Sequence, residues 1–90
     1  MSVEVRIPTI LRPYTGGDKV VTGDGADLRA LIADLDSRFP GIGERLIDEQ
    51  GLRRFVNVYL NDEDVRFLGG LDTAVADGDS VTILPAVAGG

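Results

Sequence analysis

Val3, Val5 and Ile7 alternate with Glu4 and Arg6, and a period of two is the mark of a strand with one buried face. Pro8 can end that strand. Arg12 to Asp18 holds Pro13, Gly16 and Gly17 and reads as a turn, after which Lys19-Val20-Val21-Thr22 supplies a short second strand and closes a hairpin. Past the break at Gly23-Asp24-Gly25 the period changes. Leu28, Leu31, Ile32, Leu35 and Phe39 fall on one helical stripe, with Arg29, Asp34, Asp36 and Arg38 mostly off it. Asp27 is a suitable N-cap, since its carboxylate can accept from the first free backbone N–H groups. Pro40-Gly41 stops the helix.

Residues 41–54 carry a weaker pattern, in which Ile42, Leu46 and Ile47 allow a single helical turn that Gly51 breaks. Phe55 to Leu60 predicts a third strand, Asn61 to Asp64 a polar turn, and Val65-Arg66-Phe67 a short strand. Gly69-Gly70 reads as a loop. Asp77-Gly78-Asp79 is a tight turn into a last strand, Ser80 to Leu84. A hairpin, one helix and further strands cannot make a repeated βαβ array. The economical packing is an α+β roll, a β-grasp (ubiquitin-like) fold with a mixed four- to five-stranded sheet on one main helix and the first and last strands at its centre. Residues 1–84 form the domain on this reading, and 85–90 a flexible C-terminal tail.

Composition narrows the chemistry. Ninety residues make one domain with a modest core. With no Cys and no His, the chain lacks the side chains that most often serve as nucleophile or general base at neutral pH, so no catalytic residue is assigned. A transition metal would have to be held by carboxylates alone, and no metal site is assigned. The net charge of -6 argues against nucleic acid as a partner and suits docking on a basic surface. Neither a secretory leader nor a membrane span is visible, and a cysteine-free chain fits the cytoplasm.

The tail is the unusual feature. After Pro85 come Ala86, Val87, Ala88, Gly89 and Gly90, all small or aliphatic and none charged. Residues 85–90, extended, reach about 20 Å. Two glycines let a carboxylate enter a cleft where backbones approach closely. A carboxylate is a poor electrophile and must be activated, for example as an acyl-adenylate. No phosphate-binding loop is present, so a separate enzyme must supply the nucleotide site.

The run Asp77 to Gly90 resembles the terminal block of the MoaD/ThiS-type sulfur carriers. Two further stretches, Ile7 to Gly17 and Arg54 to Phe67, resemble the actinobacterial branch that serves cysteine biosynthesis. The resemblance implies that Gly90 is adenylated by an E1-like adenylating/sulfurtransferase enzyme using ATP and magnesium, and then becomes a thiocarboxylate. It implies that Val87, Ala88 and Gly89 insert into partner enzymes. It also implies a pyridoxal-phosphate-dependent cysteine synthase, acting on O-phosphoserine, as sulfur acceptor, and a zinc-dependent peptidase that releases cysteine. All these cofactors belong to the partners; none is bound by this chain. Small subunits of molybdopterin synthase carry two consecutive prolines before the Val-x-Gly-Gly end, whereas here Pro85 precedes Ala86. Sulfur donation to molybdopterin or another thiolated metabolite, and a ubiquitin-like modifier joined to protein lysines, stay open as alternatives.

Alternation in the third strand sets Val56, Val58 and Leu60 against the helix. It turns Phe55, Asn57 and Tyr59 outward. With Val81 and Ile83 inward, Leu84 joins Phe55 and Tyr59 on the open face as a candidate docking cluster. Most of the remaining candidates read as ordinary structure: Asn61-Asp62-Glu63-Asp64 as a solvated turn, and Gly23-Asp24-Gly25 and Gly69-Gly70 as turns. Arg53-Arg54 reads either as an anion or partner contact or as a pair of solvated arginines.

Overall fold

A computed structural model describes residues 2–49, 51–53 and 56–85. The first strand, β1 (Val3–Arg6), pairs antiparallel with β2 (Val20–Gly23). Between them the chain makes a 3-10 turn over Thr9–Thr15 that ends on Gly16 at a φ of 67°. Buried Thr15 organises the exit, its hydroxyl 2.9 Å from the Asp18 carbonyl oxygen and 3.2 Å from that of Arg12.

Helix α1 (Leu28–Arg38) begins where the sequence places it. Asp27 Oδ1 accepts from the Ala30 backbone N–H at 2.8 Å, which satisfies one of the free donors of the first turn. Leu28, Leu31, Ile32 and Leu35 are all buried on its sheet side. Gly25 reads from the sequence as an ordinary turn residue, yet a Cβ there would meet the backbone nitrogen of Leu31 and lie 2.8 Å from its Cα. Close approach to the helix, rather than an unusual backbone angle, requires glycine at this point.

Asp36 then ties α1 to the short helix α2 (Ile42–Leu46), its Oδ1 accepting from the N–H groups of Gly41 and Gly43 at 3.1 and 2.9 Å. A two-residue ribbon follows, β3 (Ile47–Asp48) against β4 (Gly51–Leu52). It is too short to leave a periodic signal in the sequence.

The main sheet is completed by β5 (Val56–Leu60), β6 (Glu63–Asp64) and β7 (Ser80–Pro85), in the order β2-β1-β7-β5-β6. β7 runs parallel to β1 and antiparallel to β5, so the first and last strands are central, as the β-grasp reading requires. Val3, Val5, Val58, Val81 and Ile83 are buried beneath α1, each worth about 1.5–3 kcal/mol when removed from water. Val56 and Leu60 pack beside them.

Three short segments differ from their sequence reading. Glu63–Asp64, read as part of a turn, forms β6, and Gly70–Asp72, where a loop is read, is a 3-10 turn. Val65–Phe67 forms a 3-10 turn, not a strand. The β5–β6 hairpin closes over Asn61 and Asp62 alone, both at positive φ (49° and 74°), which lets Glu63 and Asp64 pair directly with Leu60 and Tyr59. The Asp64 carboxylate then accepts from the Arg66 N–H at 2.9 Å and turns the chain away, a local side-chain bond that competes with extended backbone.

Candidate functional site

The ladder fixes where the last strand delivers the tail. Pairing of β1 with β7 stops at Arg6 opposite Thr82. β5 accompanies β7 further, with Asn57 opposite Leu84 and Val56 opposite Pro85. Pro8 has no N–H to offer a ladder, and the chain leaves the sheet into the 3-10 turn, so β7 outruns β1 by three residues. The space vacated is an open hollow of about 530 Å³ beside Thr82–Pro85. On the other flank of Ile83–Pro85 lies a second hollow, about 270 Å³, walled by Leu11 and Val56. Pro8 and Ile10 border both.

Charge around this root is of one sign. Arg6, Arg12 and Lys19 line the first hollow, Arg45 and Arg53 the second, and among the described residues no Asp or Glu lines either. Three of these are held by neutral acceptors. Arg12 Nε donates to the Ile7 carbonyl at 3.2 Å, and Arg53 Nε to that of Glu44 at 2.6 Å. Arg45 Nε donates to the Tyr14 hydroxyl oxygen at 2.7 Å, a contact that raises the arginine's pKa above its ordinary value. Arg29 and Arg38, away from the root, pair instead with Asp72 and Asp34.

The open face of the sheet carries the outward set the alternation predicts. Leu84 is 45% exposed, and Tyr59, half-buried, stands opposite Thr82 and Asp64. The two are diagonal neighbours across the β5–β7 ladder. Phe55, Val87, Ala88, Gly89 and Gly90, and with them the tail-insertion and carrier assignments, lie outside the described residues, as does Arg54. The sequence reading missed Ile10, 65% exposed at the rim of both hollows. It also missed the basic residues around it other than Arg53, which it offered as a possible partner contact. Ile10 sits next to buried Leu11 in a 3-10 turn, and only the absence of strand alternation after Pro8 hints at its exposure.

The other candidates resolve as structure. Asn61 is occupied by the turn it starts: its Nδ2 donates to Asp79 Oδ1 at 3.1 Å, and its Oδ1 accepts from the Ser80 N–H at 3.0 Å. Among the described residues no three carboxylates are placed to hold a metal. Gly69 N–H donates to Thr73 Oγ1 at 3.0 Å, and the Asp24 N–H to Asp34 Oδ2 at 2.9 Å. Gly69 thus lies in a bonded turn, whereas Gly23 ends β2 and Asp24 is tied to α1. No helix among the described residues is long and apolar enough to cross a membrane.

With this geometry, the chain matches the model of the ThiS family over residues 5–90. It is 64% identical to the sulfur carrier protein CysO of Mycobacterium tuberculosis, with 100% of each chain covered. It is 60% identical to a chain in the crystal structure of the Amycolatopsis orientalis BexX/CysO complex, at a TM-score of 0.93 over 98% of this chain and 99% of that one. It is also 33% identical to small archaeal modifier protein 3 of Haloferax volcanii, again with 100% of each chain covered.

Proposed function

The chain belongs to the ThiS family and is a sulfur carrier, and we propose that its working group is the carboxylate of Gly90. The observation that carries this is an end-to-end match. The family's similarity runs through residue 90, and the CysO relative is covered over its whole length. The fold supports it by placing the tail root at the end of a central strand, where bonding to β5 holds Leu84 and Pro85.

The chemistry then proceeds on partners. A Gly90 carboxylate oxygen attacks the α-phosphorus of ATP, bound with magnesium by an E1-like enzyme, and pyrophosphate leaves. Sulfur from a persulfide donor attacks the acyl carbon, AMP leaves, and reduction of the remaining sulfur–sulfur bond by a thiol yields the thiocarboxylate. Val87, Ala88 and Gly89 thread the cleft, small enough to let the terminus reach the reacting atoms. The sulfur acceptor is a pyridoxal-phosphate-dependent cysteine synthase working on O-phosphoserine, and a zinc-dependent peptidase frees the product. The chain is a carrier and not an enzyme, a reading supported by its lack of His and Cys. ATP, magnesium and pyridoxal phosphate all belong to its partners. Its place of work is the cytoplasm, where a reducing milieu preserves a thiocarboxylate from oxidation.

A second reading is favoured by one finding, the full-length similarity to an archaeal modifier: the activated Gly90 could instead acylate a protein lysine. Intact-mass analysis of the chain taken from its native cell separates the two. The carrier gains about 16 Da as sulfur replaces a carboxylate oxygen, whereas the modifier is found on other chains through an amide. Removal of Gly90 should abolish the gain without unfolding the domain. A sulfur-loaded chain lacking Gly90 would overturn the proposal.

A further inference from the structure

We propose that the basic collar around the tail root, formed by Arg6, Arg12, Lys19, Arg45 and Arg53, is the surface on which the activating enzyme closes, and that it meets there an apolar rim studded with carboxylates. The inference rests on the carrier reading above and goes further, to the chemistry of the partner's cleft mouth.

The distribution of charge is the first argument. The chain as a whole is acidic, with 15 Asp and Glu against 9 Lys and Arg, which suggests a basic partner. The tail root says the opposite, since five of those nine basic residues line its two hollows and, among the described residues, no acidic residue does. At physiological salt the Debye length is about 8 Å. A closed interface therefore feels the collar, tempered by Glu4 beside Arg6 and Asp18 beside Lys19, more than it feels the acidic residues farther off.

Availability is the second. Arg6 and Lys19 have no carboxylate partner among the described residues, unlike Arg29 and Arg38 on the helix layer. Desolvating two such cations against a neutral surface would be costly, and a carboxylate opposite each offsets that cost. Between the cations, Ile10, Val20 and Leu84 are 65%, 44% and 45% exposed. The surface is mixed, apolar patches flanked by charge, as protein interfaces are at their core and rim.

Reach is the third argument. Beyond Pro85 five uncharged residues remain, spanning at most about 17 Å. For Gly90 to enter a buried nucleotide site, the mouth of that site has to press on the collar. The collar's cations are then apposed to the mouth itself, where carboxylates are the counter-charges a protein surface can supply.

The test is affinity for the cognate adenylating enzyme, with ATP and magnesium, at low and high salt. Lys19→Glu and Arg6→Glu should each weaken binding about tenfold or more at low salt and reduce its salt dependence. Arg29→Glu, an equal change of charge on the helix layer, should alter affinity less than about twofold. Thermal midpoints verify folding. Should a glutamate variant fail that check, Lys19→Gln and Arg6→Gln take its place, with a smaller loss of the same kind expected. Wild-type affinity and salt dependence in the collar variants would overturn the proposal. So would an equal loss in Arg29→Glu, which would assign the effect to net charge. If the enzyme neither binds nor adenylates the wild-type chain, the carrier reading itself falls and the proposal falls with it.

Discussion

Arg66 donates through Nη1 to Asn57 Oδ1 at 2.6 Å, and Asn57 is the residue opposite Leu84 in the ladder that holds the tail root. The same guanidinium reaches the carbonyl oxygens of Val56 and Arg53 at 2.6 and 3.1 Å. One side chain from the 3-10 turn thus pins the start of β5. Arg66→Ala should destabilise the domain by about 1–2 kcal/mol and speed hydrogen exchange at Val56 and Val58. Arg66→Lys should restore little, because a single ammonium cannot serve three acceptors spread as a planar fork. Denaturant unfolding of the three proteins checks this, and equal midpoints would show that β5 needs no such support.

Leu31 is fully buried and Ile83 is 3% exposed, one on the helix and one on the central strand it covers. Leu31→Ala or Ile83→Ala should cost about 2–5 kcal/mol through lost transfer energy and the cavity left behind, a large share of the roughly 5–15 kcal/mol a small domain holds. Chemical denaturation reads the loss directly, and an unchanged midpoint would contradict the packing.

Asp79 lies below the usual carboxylate range, chiefly because the Asn61 side-chain amide donates to it and also because the Ala76 N–H does. Asp34 is lowered in the same way, first by the Asp24 N–H and then by Arg38. A carboxylate depressed in the folded state stabilises it above the unfolded value, near 3.9 for aspartate, and that contribution is lost as pH falls through the lower folded value. The thermal midpoint should therefore drop below about pH 4. In Asp79→Ala the drop should be shallower and the plateau above it lower. A parallel acid profile in the variant would show that this turn contributes nothing to the pH dependence.

Leu84 and Tyr59 differ in what their replacement would test. Leu84→Ser leaves the ladder intact and should weaken binding to the activating enzyme by about 1 kcal/mol, with stability changed by less than about 0.5 kcal/mol. Tyr59→Asp would set a carboxylate opposite Asp64, and like charges in directly paired positions destabilise a hairpin. Tyr59→Ser isolates the docking effect from that repulsion. Calorimetric titration alongside thermal unfolding distinguishes the two, and unchanged affinity in both serine variants would remove the open face from the interface.

Whatever depends on near neighbours is legible in the chain itself. The alternation of Val3, Val5 and Ile7, the stripe from Leu28 to Leu35 and the Asp27 cap are each written in residues a few positions apart, and each stands in the structure as read. The same locality explains the miss at Val65–Phe67, where apolar residues suggest a strand and a single Asp64 carboxylate decides for a turn. The character of the tail root, by contrast, comes from long-range pairing. The local β1–β2 hairpin already sets Arg6 beside Lys19, but nothing in the spacing joins either to Arg53. Arg53 comes to the same root because β7 inserts between β1 and β5 and then outlasts β1, leaving hollows that those residues wall. Composition reports only the sum of charges, and the sum is negative. The sign presented to a partner depends on which side chains non-local pairing gathers within a Debye length, and at this surface the fold gathers cations.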